Sequence, residues 1–121
     1  MVSEAQSKML DLLRPDLAAL AVDLSAVGGS REYCFPLDAA PAVLEDLLTN
    51  DVTVLGGDLW DLENEEYYPS GESWYTDSAE GESAERREAR IRATANEFFA
   101  RYATATDKRV TFVVKSDPAA S

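Results

Sequence analysis

Between Asp58 and Glu66 the chain sets the carboxylates Asp58, Asp61, Glu63, Glu65 and Glu66 beside Trp60, Tyr67 and Tyr68, with Trp74 and Tyr75 shortly after. Carboxylates at this density are hard oxygen ligands, so calcium or magnesium binding is the first chemistry to test. An EF-hand loop needs Asp at positions 1, 3 and 5, Gly at 6 and Glu at 12, and this stretch does not follow that spacing. On a strand, Asp61, Glu63 and Glu65 share one face, with Asp58 opposite unless a bulge intervenes. A metal-dependent enzyme using the Asp58–Glu66 carboxylates, or a paired-carboxylate hydrolase, stays open by residue type alone; nothing in the spacing pre-organises a pair. The chain has no histidine. That removes Ser-His-Asp and Cys-His triads, the usual base near neutral pH, and zinc sites built from His and Cys. Gly56-Gly57 lacks the third glycine and the Lys-Ser/Thr of a phosphate loop. No catalytic residue, metal site or cofactor is assigned. The remaining chemistry is recognition. Tyr and Trp flanked by carboxylates have the composition of a binding hot spot for a basic surface, and their ring faces can accept Arg or Lys. One of Trp60 and Trp74 is expected in the core, and at least two tyrosines on the surface.

The charge pattern points the same way. Net charge is −12 and the pI is near 4.2. Nucleic acid and anionic membranes both call for a cationic face, so neither is an expected partner. No Lys or Arg stands between Arg31 and Arg86, where fifteen Asp and Glu fall, and eight of the eleven basic residues come at or after Arg86. Part of the fold must therefore present one sign of charge, which suits a basic partner. A merely solvated acidic surface is the plainer alternative.

At 121 residues the chain reads as one domain, 1–121, long enough for its own core. The lone cysteine, Cys34, cannot form an internal disulfide; within Tyr33-Cys34-Phe35 it reads as a small buried hydrophobe in a reducing compartment. Glu4 and Asp11 interrupt the N-terminus, so no signal peptide is expected, and no apolar run approaches the ~18 residues of a membrane span. A cytoplasmic location follows as the expectation.

The elements that must position the acidic, aromatic stretch are legible from periodicity. Ser3-Glu4-Ala5-Gln6 has the form of a capping box, opening a helix over about 4–13 that Pro15 ends or restarts. Gly28-Gly29-Ser30 is a turn, and Arg31–Phe35 a short strand with Tyr33 and Phe35 on one face. Asp38 is the expected cap of a helix with Pro41 in its first turn and Val43, Leu44, Leu47 and Leu48 on its buried stripe. Val52–Leu62 is the best strand, with Gly56 and Gly57 marking a bulge or a close backbone approach. Glu63–Glu66 is a turn, Tyr67-Tyr68 begins the return strand, Pro69–Glu72 is a second turn signal, and Ser73–Thr76 holds Trp74 and Tyr75, so the stretch reads as a β-hairpin or longer meander. Ser83 caps a long helix over about 84–103 in which Glu82–Arg86, Glu88–Arg92 and Glu97–Arg101 are spaced for ion pairs. Arg109–Lys115 is a strand and 116–121 a disordered tail. The fold class is α+β: a small antiparallel sheet of about three or four strands with two or three helices, the longest near the C-terminus.

The order of these pieces carries a resemblance. The Tyr-Cys-Phe run, the helix over Leu37–Leu48, the strand with Leu55-Gly56-Gly57-Asp58 and Trp60, and Trp74-Tyr75 before a long charged helix together resemble the Immunity protein 40 family of bacterial polymorphic toxin systems, over roughly residues 24–115. The resemblance implies a non-enzymatic immunity protein that binds and blocks a cognate toxin domain. A basic, nuclease-like toxin would match the charge. The partner-binding candidates are Asp58, Trp60, Asp61, Glu63, Glu65, Glu66, Tyr67, Tyr68, Trp74 and Tyr75, with Gly56 and Gly57 structural. A generic acidic adaptor domain is the alternative reading. The sequence leaves the oligomeric state open.

Overall fold

In a computed structural model that describes residues 2–76, 81–104 and 107–115, the elements run α1 (Glu4–Asp11), α2 (Pro15–Ala18), β1 (Val22–Asp23), α3 (Leu24–Val27), β2 (Tyr33–Pro36), a 3-10 turn (Leu37–Ala39), α4 (Ala40–Thr49), β3 (Val54–Glu63), β4 (Glu66–Tyr75), α5 (Ala84–Arg101), β5 (Lys108–Thr111) and β6 (Val113–Val114). Ser3 starts α1 by accepting the Gln6 N–H at 3.2 Å. The capping box is otherwise incomplete: Gln6 does not reach back. Its side chain is fully buried, donating to the Phe112 carbonyl at 2.8 Å and accepting from the Tyr33 amide at 3.1 Å. The residue expected to close a local cap instead fastens α1 to the sheet. Pro15 opens α2 at its first turn, as its fixed φ and missing N–H favour. Asp38 falls inside the 3-10 turn, and the N-cap of α4 is Ala39, which offers no side-chain bond; this corrects the expected role of Asp38. Ser83 does cap α5, accepting from the Arg86 N–H at 3.2 Å.

The sheet is antiparallel, in the order β1-β2-β5-β3-β4, with β6 paired to β3 beside β5. Among the described residues there are six strands and five α-helices, more than the three or four strands and two or three helices expected. The surplus lies in pieces of two to four residues (β1, β6, α2 and α3), too short to show a hydrophobic period.

One face of the sheet carries the main core. Phe35, Leu59, Trp74 and Val110 pack there with Phe112 beneath the stripes of α1, α4 and α5, including Met9, Val43, Leu44, Leu47, Ile91, Ala95, Phe98 and Phe99. The opposite face holds a second, smaller cluster of Leu24, Cys34 and Trp60, with Val22 and Tyr67 against it, covered by α3. The split follows from the period of two along a strand: Tyr33 and Phe35 point to one side and Cys34 to the other. Of the expected ion pairs along α5, Glu97–Arg101 forms at 3.7 Å. Arg92 instead reaches Glu45 on α4 at 2.6 and 3.0 Å, and Arg90 takes Glu82 in a two-pronged contact at 2.9 and 2.8 Å. In both cases the guanidinium takes a carboxylate two-pronged, one on α4 and one just before the α5 cap, a geometry stronger than a single contact to an i,i+4 neighbour. The tail over 116–121 lies outside the described residues. Among the described residues no helix is long and apolar enough to cross a membrane.

Candidate functional site

The acidic, aromatic stretch forms one long hairpin. β3 and β4, ten residues each, pair from Glu63↔Glu66 back to Gly56↔Tyr75. The connecting residues Asn64 and Glu65 have φ of 52° and 66°. Two successive residues at positive φ make the type I′ turn that matches strand twist, and Asn-Gly is the usual pair. Asn tolerates the left-handed region; Glu there is strained, so this tip keeps a carboxylate where glycine would relieve the backbone.

The expected second turn at Pro69–Glu72 is a bulge inside β4. Asp58 pairs with Ser73 and Trp60 with Pro69, so the residues between them on β4 are looped out against Leu59 alone. The Ser70 hydroxyl donates to the Leu59 carbonyl at 2.9 Å and secures it. Turn-forming residue types are also bulge-forming types, and composition does not separate the two. A register shift against β6 between Val54 and Gly56 agrees with the glycine signal. A Cβ on Gly57 would collide with the Thr111 backbone oxygen, and one on Gly56 with the Trp74 carbonyl, so both glycines allow a close backbone approach.

The ten candidate residues do not share one surface. Both tryptophans are core, at 7% and 5% exposure, which corrects the expectation that one would be exposed. The physical reason is that β3 and β4 are covered on both sides. Trp74 packs under α5 against Phe98, Phe99 and Phe112, with ring centroids 6.5, 5.9 and 6.3 Å away. Trp60 sits on the other face beside Gly28, Leu24 and Cys34. Neither indole N–H has a hydrogen-bond partner among the described residues. Two tyrosines are exposed as expected, Tyr68 at 45% and Tyr75 at 73%, while Tyr67 leans on the Trp60 cluster.

The carboxylates divide as well. Asp61 lies opposite Tyr68 and forms an ion pair with Lys108, which mutes its charge. Glu65 is in the turn, not on a shared strand face with Asp61 and Glu63. Glu63, Glu65 and Glu66 are exposed at the tip, and the Tyr68 hydroxyl donates to Glu66. That bond and the charge behind it hold the Tyr68 phenol above its usual range. Asp58 is half-buried on the Trp60 face, where desolvation raises its carboxyl above the usual range. Its backbone N–H donates to the Thr111 hydroxyl at 3.0 Å, and among the described residues its carboxylate has no ion pair. Glu72, exposed on the bulge, adds a carboxylate that the turn reading did not assign to this surface.

Among the described residues no three His, Cys, Asp or Glu side chains converge as a metal group. The divergence of Asp58, Asp61 and the tip explains this for the hairpin. A cleft of about 720 Å³ opens between the 3-10 turn, the end of α5 and the start of β5. Its charged lining, Asp38, Asp107, Lys108 and Arg109, balances in sign, so it is not part of the acidic surface.

A sequence model of the family described as Immunity protein 40 matches residues 23–115. The match takes in the whole hairpin and leaves α1 and α2 outside. No curated protein and no solved structure matches the chain.

Proposed function

The chain belongs to the Immunity protein 40 family, and from that premise we propose that it binds a cognate bacterial toxin domain and neutralises it by stoichiometric occlusion, without catalysis of its own. The binding surface is the β3–β4 hairpin: the carboxylates of Glu63, Glu65 and Glu66 at the tip, Glu72 on the bulge, Asp58 on one face, and the rings of Tyr68 and Tyr75. Trp60, Trp74, Gly56 and Gly57 hold that surface in shape from beneath, and Tyr67 and Asp61 border it.

The observation that carries this assignment is the tip. Glu65 occupies a left-handed turn position that glycine fills more cheaply, between two further exposed glutamates. Strained backbone positions cluster at binding and catalytic surfaces, and among the described residues no group of three or more His, Cys, Asp or Glu converges at this one. The partner is basic, in keeping with a nuclease whose own site attracts phosphate, and the encounter takes place in the cytoplasm. Charge complementarity of this kind raises association rates to about 10⁸–10⁹ M⁻¹s⁻¹ at low salt and makes them fall with ionic strength.

The test is co-expression with the C-terminal domain of the large protein encoded by the adjacent gene. Co-elution of the two, with cells surviving only when both are present, is the expected result. A folded protein that neither co-elutes nor rescues would overturn the reading. An association rate unchanged between low and high salt would overturn the charge-steering part alone.

A further inference from the structure

The outer edge of β4 is open for pairing among the described residues, because β4 pairs only with β3. The backbone pattern shows which groups face outward. Thr76 N–H donates to the Leu55 carbonyl at 2.9 Å. Hydrogen-bonded and non-bonded pairs alternate along an antiparallel ladder. Gly57↔Trp74 is therefore a bonded pair, while Gly56↔Tyr75 and Asp58↔Ser73 are not. The N–H and C=O of Ser73 and Tyr75 consequently point away from β3. At the tip end, Leu62 N–H donates to the Asp107 carbonyl on the β5 side at 2.9 Å, so Leu62↔Tyr67 is a non-bonded pair, and the backbone polar groups of Tyr67 and, two residues on, Pro69 face outward from β4.

The two halves of this edge differ. On the tip side, Pro69 occupies an outward-facing position with no N–H to offer, and the bulge at Ser70–Glu72 breaks the line. Proline, charge and bulges are the devices that keep edges from pairing indiscriminately. On the other side, Ser73 and Tyr75 present both donors and acceptors without such protection. Tyr75 is the most exposed of the large hydrophobic side chains described, at 73%. Beside it a groove of about 230 Å³ runs between β4 and α5, lined by Ser73, Trp74, Tyr75, Thr94, Glu97, Phe98 and Arg101.

We propose that an extended segment of the toxin domain adds to the β4 edge at Ser73–Tyr75, its alternate side chains entering the α5 groove on one face and placing Lys or Arg towards Asp58 and Tyr75 on the other. This rests on the immunity reading above and specifies how its partner docks. Strand spacing puts the added backbone about 9–10 Å from β3. The small Ser73 side chain lies between, so a long basic side chain can cross it to the half-buried Asp58, whose carboxylate has no ion pair among the described residues. Backbone pairing supplies affinity and the alternate side chains supply specificity, as in other strand-addition complexes.

Amide hydrogen exchange on the whole chain, alone and bound to the purified toxin domain, tests this. In the protein alone the Ser73 and Tyr75 amides exchange fast while Trp74 and Thr76 are protected. In the complex Ser73 and Tyr75 slow on the order of 100-fold or more. The variant Tyr75→Pro deletes one outward N–H without touching a β3 bond and weakens the complex about tenfold, the worth of one hydrogen bond; should it fail to fold, the exchange result decides alone. A complex that forms with the Ser73 and Tyr75 amides still fast overturns strand addition and leaves the immunity reading standing. No complex at all overturns both. Protection that appears without toxin and grows with protein concentration overturns the proposal in favour of a second copy on the edge.

Discussion

Gln6 offers the sharpest test of how the fold is held. It lies outside the region matched by the family model, yet its buried amide bridges the Phe112 carbonyl at 2.8 Å and the Tyr33 N–H at 3.1 Å. Gln6→Leu keeps the approximate volume and removes both bonds. The Phe112 carbonyl and the Tyr33 N–H then lose their partner in an apolar setting, at about 1–3 kcal/mol each. Leucine burial returns part of this, leaving an expected net loss of about 2–4 kcal/mol. For a domain with ~5–15 kcal/mol of total stability this is a large fraction. In urea, the midpoint should fall with an unchanged slope, and the thermal midpoint should drop by roughly 6–20 °C. Ser3→Ala, which removes only the α1 cap, should lose about 1 kcal/mol by comparison. Since these two bonds tie α1 to β2 and to the residue between β5 and β6, and not to the hairpin tip, folded Gln6→Leu should bind toxin as the parent does. A loss below about 0.5 kcal/mol, within the range of ordinary surface changes, would refute the claim that this amide fastens α1 to the sheet.

Four further outcomes are expected. Glu65→Gly should leave the fold as stable or up to about 1 kcal/mol more stable by relieving the left-handed strain, while slowing toxin association; slower association is the decisive readout. Asp58→Asn should raise stability at neutral pH by at most about 1 kcal/mol, the exposed half of the group being screened by water, and should weaken toxin binding. The sign for the parent follows from a carboxyl raised by desolvation: the folded state binds the proton more tightly, so this group's destabilising contribution is present above its folded pKa and fades as pH falls through that value towards the unfolded one. Chemical melts across the acid range, parent against variant, should show the difference shrinking with falling pH. Gly57→Ala should lose more than about 2 kcal/mol or fail to fold, because the new methyl meets the Thr111 backbone oxygen; a near-neutral melt would contradict the close approach. Cys34, buried with its thiol pushed up to about 12 by desolvation, should react with a thiol reagent at pH 8 only as fast as the protein opens, and at full rate in denaturant.

The sequence by itself determined the elements whose signal repeats over several turns or strand residues. Val43, Leu44, Leu47 and Leu48 fixed α4, Ile91, Ala95, Phe98 and Phe99 fixed α5, and the β-branched and aromatic runs located β3 and β5. The tip turn at Asn64-Glu65 and the close approach at Gly56-Gly57 were also legible, because each shows in neighbouring residues; the family resemblance was legible in the order of the elements, and the exposure of two tyrosines in there being more rings than so small a sheet can bury. Long-range pairing decided the rest. Whether Trp60 and Trp74 were surface or core depended on which elements covered each face of the hairpin, and α3 and α5 come from distant parts of the chain. Gln6 looked like half of a local cap until the sheet brought Tyr33 and Phe112 within reach of its amide. Pro69–Glu72 read as a turn and became a bulge because β3 continued beside it. Asp61 looked like one more surface charge until strand order placed Lys108 next to it. Local sequence sets what a segment prefers, and the partners that satisfy its polar groups and cover its rings exist only once the chain has folded.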